Sequence, residues 1–332
     1  MNRRERLTAA VAMQPVDRVP ISAWGHFQLD EMAPEPLADS LYNWFVERDF
    51  DFLKIQPRAS YQVEGWGFEF TPATANGLPH SFVRHPIKEA ADWKKLEPLP
   101  LTVKPLADQL ETARILRARV GPDVPLLMTC FSPMDMAEKM VNRDPVLLRH
   151  YLAEAPDAVE HALQVFADTF AAYVKELVAI GIDGIFLSSR WTNPDRMAHA
   201  DYARIARPRD LQVLEAARDL PFNTLHLCGG NIEIPLVADY PVSIIHWDHV
   251  ATGNPTLAEG QKLCGKAVCG GVAPKIFGQL TPDEVREGIL SSIRETNGIG
   301  YVGAPGCTVS IFGTPEENFV ALRKASDEGA AL

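Results

Sequence analysis

Eight short, nearly all-apolar runs recur along this chain, and their alternation with helical patterns constrains the fold more than any other feature. They are VPISAW from Val19, DFLKIQP from Asp51, PLLMTC from Pro125, GIDGIFLSS from Gly181, NTLHLC from Asn223, VSIIHW from Val242, KAVCGGV from Lys266 and GYVGAPG from Gly300. Runs this short, with little polar alternation, suit parallel strands covered on both faces. Between the third and fourth runs, Val159, Leu163, Phe166, Phe170, Val174 and Leu177 recur at three- and four-residue steps and make one apolar helical stripe. Thr281-Pro282-Asp283-Glu284 and Thr314-Pro315-Glu316-Glu317 each predict a helix start. Both offer a hydroxyl at the cap, a proline in the first turn and a carboxylate three residues on. The expected architecture is α/β, a (β/α)8 TIM barrel spanning residues 1–332 as one domain.

Two additions to the barrel are expected. MNRRERLTAAVAMQPVDR predicts an N-terminal amphipathic helix ended near Pro15. The gap between the second and third strands is longer than one crossover needs, so it holds an insertion. Its YQVEGWGFEF and LPHSFVRHPI segments predict a hairpin beside the barrel mouth, followed by a helix from about Pro105. An open, doubly wound sheet is the alternative, but no GxGxxG follows the first strand to support its dinucleotide-binding form.

Composition narrows the partners. No run approaches the roughly eighteen apolar residues of a membrane span, and the N-terminus lacks the apolar core of a secretory signal. With 32 basic against 43 acidic residues, the net charge of −11 disfavours nucleic acid, and no dense basic stripe offsets it. The five cysteines, at 130, 228, 264, 269 and 307, are odd in number and widely spaced. They do not resemble a disulfide framework, and a reducing cytoplasm is expected.

The chemistry concentrates at strand ends. In a barrel the C-terminal ends of all strands meet around one mouth. His226 and Cys228 end the fifth run as an i,i+2 pair, so both side chains point to one face. Cys307 follows the eighth run and can approach from the other side, with Gly229, Gly230 and Gly306 permitting close turns. One imidazole and two thiolates suit zinc and leave a fourth position for a reactant. The competing reading is a polar histidine with two inert buried thiols. Cys264 and Cys269 read as structural, and Cys130 as packing near the pocket.

Around that centre the other strand ends supply a pocket wall. Trp24, Lys54, Tyr61, Trp66, Ser188 and Trp247 are the candidate substrate-binding residues. Asp248 is a candidate to orient a metal-bound imidazole or accept a proton, and His26 and His246 could serve similar roles. Each has a blander reading: Asp248 as a cap, the histidines as surface hydrogen-bonders, the tryptophans as packing.

The chain also resembles the uroporphyrinogen decarboxylase superfamily, over nearly its whole length. The likeness runs from RRERLTAAVAMQPVDRVPISAW through DFLKIQP, GIDGIFLSS, HWD and CGGVAP to GTPEENFVALRKA. HLC and APGC are similar to the zinc-dependent, methylcobamide-linked methyltransferase branch. That resemblance implies zinc on His226, Cys228 and Cys307, methyl transfer to a small thiol or from a methylated small molecule, and a corrinoid carried by a separate protein. It also implies a homodimer. True decarboxylases of the family use no metal and grip a polycarboxylate with arginines after the first strand. Here no arginine occurs from Ile21 through Glu47. A metal-free decarboxylase and a non-catalytic corrinoid- or metabolite-binding module are the alternatives.

Overall fold

The computed structural model describes residues 1–330. Among the described residues nine strands are formed: β1 (Leu53–Ile55), β2 (Glu69–Thr71), β3 (Ser81–Arg84), β4 (Leu126–Phe131), β5 (Gly184–Ser189), β6 (Thr224–Leu227), β7 (Ile244–Trp247), β8 (Ala267–Val272) and β9 (Tyr301–Pro305). Seven of them form a parallel sheet in the order β1-β4-β5-β6-β7-β8-β9. Helices connect them, as parallel crossovers require.

The first apolar run departs from expectation. It makes one parallel bridge, Ile21 with Gly303, and no regular strand. Pro20 has no amide hydrogen to give, and the Ile21 amide donates to Asp51 Oδ2 at 2.8 Å instead of to a neighbouring strand. The segment still serves as a barrel stave, the first in chain order. On one side the Gly303 amide donates to the Pro20 carbonyl at 2.9 Å and the Ser22 amide to the Gly303 carbonyl at 3.1 Å. On the other, the Asp51 amide donates to the Ile21 carbonyl at 2.9 Å. This irregular stave closes the ring between β9 and β1.

Strand periodicity sorts the side chains into two cores. Alternate residues point inward, giving a cluster of Trp24, Phe52, Leu127, Phe186, Phe222, Ile244, Ala267, Cys269, Val302 and Ala304. Leu7 and Ala10, from the helix Arg3–Val11, join the same cluster, so the N-terminal extension plugs the barrel floor. The larger core lies between sheet and helices. There the helix Pro156–Ile180 buries Val159, Leu163, Phe166, Phe170, Val174 and Leu177, all fully inaccessible. Each such side chain contributes about 1.5–3 kcal/mol of burial.

The insertion folds as a hairpin, β2 pairing antiparallel with β3, and the next helix runs from Lys104 to Val120. Thr281 caps its helix as expected: its hydroxyl accepts the Glu284 amide at 3.3 Å while Glu284 Oε2 accepts the Thr281 amide at 2.7 Å. The second expected cap fails. Pro315, not Thr314, holds the cap position of Glu316–Gly329, and the Thr314 hydroxyl turns back to the Ser310 carbonyl. Among the described residues no helix is long and apolar enough to cross a membrane.

Candidate metal centre

His226 lies on β6, and the chain continues from its C-terminal end into Cys228. Inward parity carries both side chains to the barrel mouth. The Cys228 amide donates to the Ser189 carbonyl at 2.9 Å, which extends the parallel register by one residue and fixes the thiol's place. Gly229 then turns with φ +108°, a conformation that L side chains rarely adopt. Beyond β9, Gly306 crosses the backbone of Asp248 so closely that an added Cβ would lie 2.4 Å from Asp248 Cα. That contact brings Cys307 over the mouth. One ligand atom from each of His226, Cys228 and Cys307 lies within 4.8 Å of the others. Cys307 Sγ sits 3.5 Å from His226 Nε2.

Hydrogen bonding sets the histidine tautomer. His246 Nε2 is 2.9 Å from the Pro305 carbonyl, which can only accept, so this nitrogen carries the proton. His246 is fully buried, and burial, reinforced by His226, pushes its pKa well below the usual imidazole range. The ring is therefore neutral, and its Nδ1 accepts from His226 Nδ1 at 2.8 Å. His226 is left with a bare Nε2 lone pair facing the two sulfurs. A neutral imidazole nitrogen and two thiols form a donor set that fits zinc, with the outer hydrogen bond that metal-binding histidines require.

The thiols are poised unequally. Hydrogen bonding from Cys228 lowers Cys307 to about 6, against the opposing effect of burial and with help from Lys54 and Arg190. The same contact, with burial, raises Cys228 to about 11. The shared contact thus favours ionisation of Cys307 over that of Cys228. Cys130 is different: burial pushes it up to about 12, and it points outward beneath the Tyr61 hydroxyl. Cys269 lies in the barrel interior, its thiol likewise raised by burial.

A cavity of about 160 Å³ opens beside the triad. Its wall follows strand parity: Lys54 on β1 and Gln56 just beyond it, Thr129 and Phe131 on β4, Phe186 and Ser188 on β5, with Trp24, His26, Ala59, Arg143, Arg190 and Thr308 completing it. Lys54 stands 5.1 Å from the Trp24 ring centroid and 4.5 Å from that of Phe186. Burial draws its amine down to about 7, although Cys307 and Cys130 pull the other way. Its ammonium donates to Gln56 Oε1, and the Gln56 amide donates to His26 Nε2 at 3.4 Å. His26 Nδ1 in turn donates to Glu31 at 2.5 Å.

Among the expected substrate-binding residues, Trp24, Lys54 and Ser188 line this cavity, whereas Tyr61, Trp66 and Trp247 do not. Tyr61 is buried and donates to the Thr129 carbonyl at 2.8 Å. Trp66 packs on Phe166, 4.8 Å between centroids, against the outer helix. Trp247 is one residue out of inward register, so it faces the helix Leu257–Cys264, where its ring leaves no room for a side chain at Gly260. His246 sits behind His226 rather than in the cavity, and His26 lines the wall. Asp248 is half-buried; burial raises its pKa, and Oδ1 has no hydrogen-bond partner among the described residues. Gln56, Thr129, Phe131, Phe186 and Arg143 escaped the sequence reading. Gln56, Thr129 and Phe186 lie in runs identified as strands and Phe131 directly follows one; counting parity from Lys54 and Ser188 would have found Gln56 and Phe186, whereas Thr129 and Phe131 are out of phase with Cys130.

Residues 2–329 match the uroporphyrinogen decarboxylase (URO-D) family, and the chain belongs to it. It is 25% identical to the methylcobamide:CoM methyltransferase MtaA of Methanosarcina barkeri, over 98% of this chain and 97% of that protein. It is 24% identical to uroporphyrinogen decarboxylase of Prochlorococcus marinus, over 80% of this chain and 78% of that one. A solved methyltransferase from Methanosarcina mazei shares the fold with a TM-score of 0.81 at 22% identity, covering 99% of both chains.

Proposed function

We propose that this protein is a zinc-dependent methyltransferase that moves a methyl group from a methylated corrinoid, carried by a separate protein, to a small thiol. The observation that carries this reading is the meeting of a tautomer-fixed His226 with Cys228 and Cys307 beside a cavity. Likeness to methylcobamide:CoM methyltransferases supports the reaction class. When bound, zinc supplies a positive charge that favours the thiolate form of an incoming thiol.

The chain's own residues have separable tasks in this reading. His226, Cys228 and Cys307 hold the metal, and His246 keeps the His226 lone pair turned toward it. As the new S–C bond forms, the bond between methyl and donor breaks and its electron pair stays with the donor. The proton released from the thiol needs an acceptor, and Lys54 is the first candidate because its amine lies near neutrality. Gln56 and His26 hold Lys54 in place, and Asp248 is the second candidate acceptor. Trp24 and Phe186 cover the cavity floor and exclude water, while Ser188 offers a hydroxyl to the substrate. Two thiol ligands require a reducing compartment, so the reading includes a cytoplasmic location, and it includes a homodimer.

The direct test incubates the zinc-loaded protein with methylcobalamin and a small thiol, following loss of the cobalt–carbon absorption and formation of the methyl thioether. Turnover that stops on chelation and returns with zinc is expected. Undiminished turnover by the metal-free protein would sink the reading.

A further inference from the structure

A carboxylate that pairs with no lysine or arginine among the described residues stands behind the metal-side cavity. Glu31 lies in the turns between the first stave and the helix Pro34–Glu47 and is 1% exposed. Arg58 comes close, but it donates to the Glu31 backbone carbonyl at 2.7 Å and its charge is paired with Glu64. Both carboxylate oxygens take imidazoles instead: Oε1 accepts from His26 Nδ1 at 2.5 Å and Oε2 from His80 Nε2 at 3.4 Å. Burial pushes the carboxyl up, but these two bonds outweigh it and hold Glu31 below the ordinary glutamate value. An ionised carboxylate can only accept.

The bonds leading away from Glu31 all run one way. His26 Nδ1 carries the proton given to Oε1, which leaves Nε2 to accept the Gln56 amide nitrogen at 3.4 Å. Gln56, 3% exposed, then turns its oxygen to Lys54, whose amine donates to it. When Lys54 is charged the series is fixed from both ends, because an ammonium has no lone pair. When Lys54 is neutral, only the Glu31 end fixes it. The reverse order would put the His26 proton on Nε2, turn the Gln56 amide over and aim its nitrogen at the Lys54 lone pair. A lone pair occupied in that way cannot take a proton from a thiol. His80 is set independently, its Nδ1 accepting the Ala73 amide at 2.9 Å. Its bond ties the β2–β3 hairpin to Glu31 without entering the series.

We propose that Glu31 is a positioning residue for the proton acceptor: through His26 and Gln56 it sets the direction of the hydrogen bonds that reach Lys54, so that the neutral amine keeps its lone pair for the cavity beside Cys228 and Cys307. This deepens the methyl-transfer reading and rests on it. Glu31 does not line the metal-side cavity; it acts by excluding the reverse order. The amine's other near neighbours, Trp24 and Phe186, offer it ring faces at 5.1 and 4.5 Å, which leaves its orientation to Gln56.

The test reads the order of bonds without turnover. In zinc-loaded protein labelled with nitrogen-15 histidine, long-range nitrogen–proton correlations distinguish the ring tautomers, and the signal lost in His26→Gln assigns that residue. Native His26 should be protonated on Nδ1 alone; a ring protonated on Nε2, or on both nitrogens, would overturn the proposal. Glu31→Gln gives two imidazole donors a single acceptor oxygen, so His26 should shift toward the Nε2–H form. Single-turnover methyl transfer from methylcobalamin to 2-mercaptoethanol should then fall about tenfold or more. Thiol affinity, read from the thiolate-to-cobalt absorption of cobalt(II)-loaded protein, should stay within about twofold. In a Lys54→Met background the same substitution should cost less than about twofold, because the group it serves is already gone. A full loss in that background would overturn the proposal, and so would an unchanged tautomer in Glu31→Gln. His80→Phe should leave the His26 tautomer and the rate within about twofold; a loss equal to that of Glu31→Gln would make Glu31 an anchor for the hairpin instead. If native His26 shows the Nδ1–H form yet zinc-loaded protein transfers no methyl group, the reaction reading fails and takes the positioning role with it, whereas the other adverse results strike that role alone.

Discussion

The two ends of the barrel treat buried charge in opposite ways. At the floor, Asp51 is wholly buried just before β1 and every one of its contacts is matched. Arg6 reaches it at 2.7 Å, Arg18 at 2.6 Å and 3.0 Å, and the Ile21 amide at 2.8 Å. Arg6 also bridges Asp17 through two bonds of 2.7 and 2.8 Å. This network ties the N-terminal helix, the irregular first stave and β1 together. At the mouth, the two thiols are poised unequally, burial lowers the Lys54 amine to about 7, and Asp248 Oδ1 has no partner among the described residues. The floor closes its charges on itself; the mouth leaves them for something absent from the chain. In a barrel, groups at the C-terminal face serve chemistry and those at the N-terminal face serve stability.

The largest effect should come from the mouth. Cys228→Ser and Cys307→Ser each remove a soft ligand. Both should take zinc from near one per chain to a trace by elemental analysis, and lower methyl transfer by about a thousandfold or more. Thermal unfolding of the metal-free forms should barely differ from that of metal-free native protein. A large loss of stability in the metal-free serine variants would erase the contrast between the two ends, because it would make the thiols structural.

The floor should give the inverse result. Asp51→Asn leaves two guanidinium groups with reduced compensation, and breaking a buried pair typically costs about 3–5 kcal/mol. Denaturant unfolding should show a loss of this order, while zinc content and turnover per folded molecule stay within about twofold. A variant that is stable but unable to bind zinc would show that the floor and mouth are coupled through the barrel.

These two ends were unequally legible in the sequence. His226, Cys228 and Cys307 could be read because thiols and imidazole at two strand ends carry chemistry in their type alone. The barrel could be read because its strands are buried on both faces and look unlike the amphipathic helices between them. The first stave was misread as a regular strand, since apolar content cannot show that Pro20 lacks a donor at a critical place and that Asp51 captures the Ile21 amide. Trp247 was counted as pocket wall because parity was not applied beyond the His–Cys pair; its neighbour His246 takes the inward direction. Arg143 was not legible at all. Its placement depends on two left-handed residues after a short helix, and no periodic pattern marks them.

A smaller effect should separate holding the metal from orienting its ligand. His246→Phe keeps a flat ring against Trp24 and Phe186, whose centroids lie 5.2 and 5.3 Å from the present imidazole. It removes the nearer of two acceptors at His226 Nδ1, leaving only the backbone carbonyl of residue 246 at 3.3 Å. Zinc affinity measured against a chelating dye should fall about 10- to 100-fold, with the fold unchanged by circular dichroism. Unchanged affinity would mean that His226 finds its tautomer without help, and the mouth would then need less scaffolding than the hydrogen bonds suggest.

The last effect lies away from both ends, at a carboxyl that has hydroxyl partners in place of the floor's guanidinium groups, and it is small within any one pH unit. Asp210 is buried beneath Tyr202 at 3.1 Å and Tyr240 at 3.3 Å. Burial raises its pKa to about 7, against the opposing hydrogen bond from Tyr202. The unfolded chain titrates this group near 4, so between about pH 4 and 7 the folded state holds the extra proton. Stability contributed by the protonated form is therefore full below pH 4 and lost as pH rises through 7, with a slope of at most about 1.4 kcal/mol per pH unit. Asp210→Asn should flatten that part of the stability–pH curve measured by denaturant unfolding. A curve of unchanged slope would show that Asp210 stays ionised on two hydroxyl donors, and that a buried carboxylate in this barrel does not need the guanidinium groups that surround Asp51.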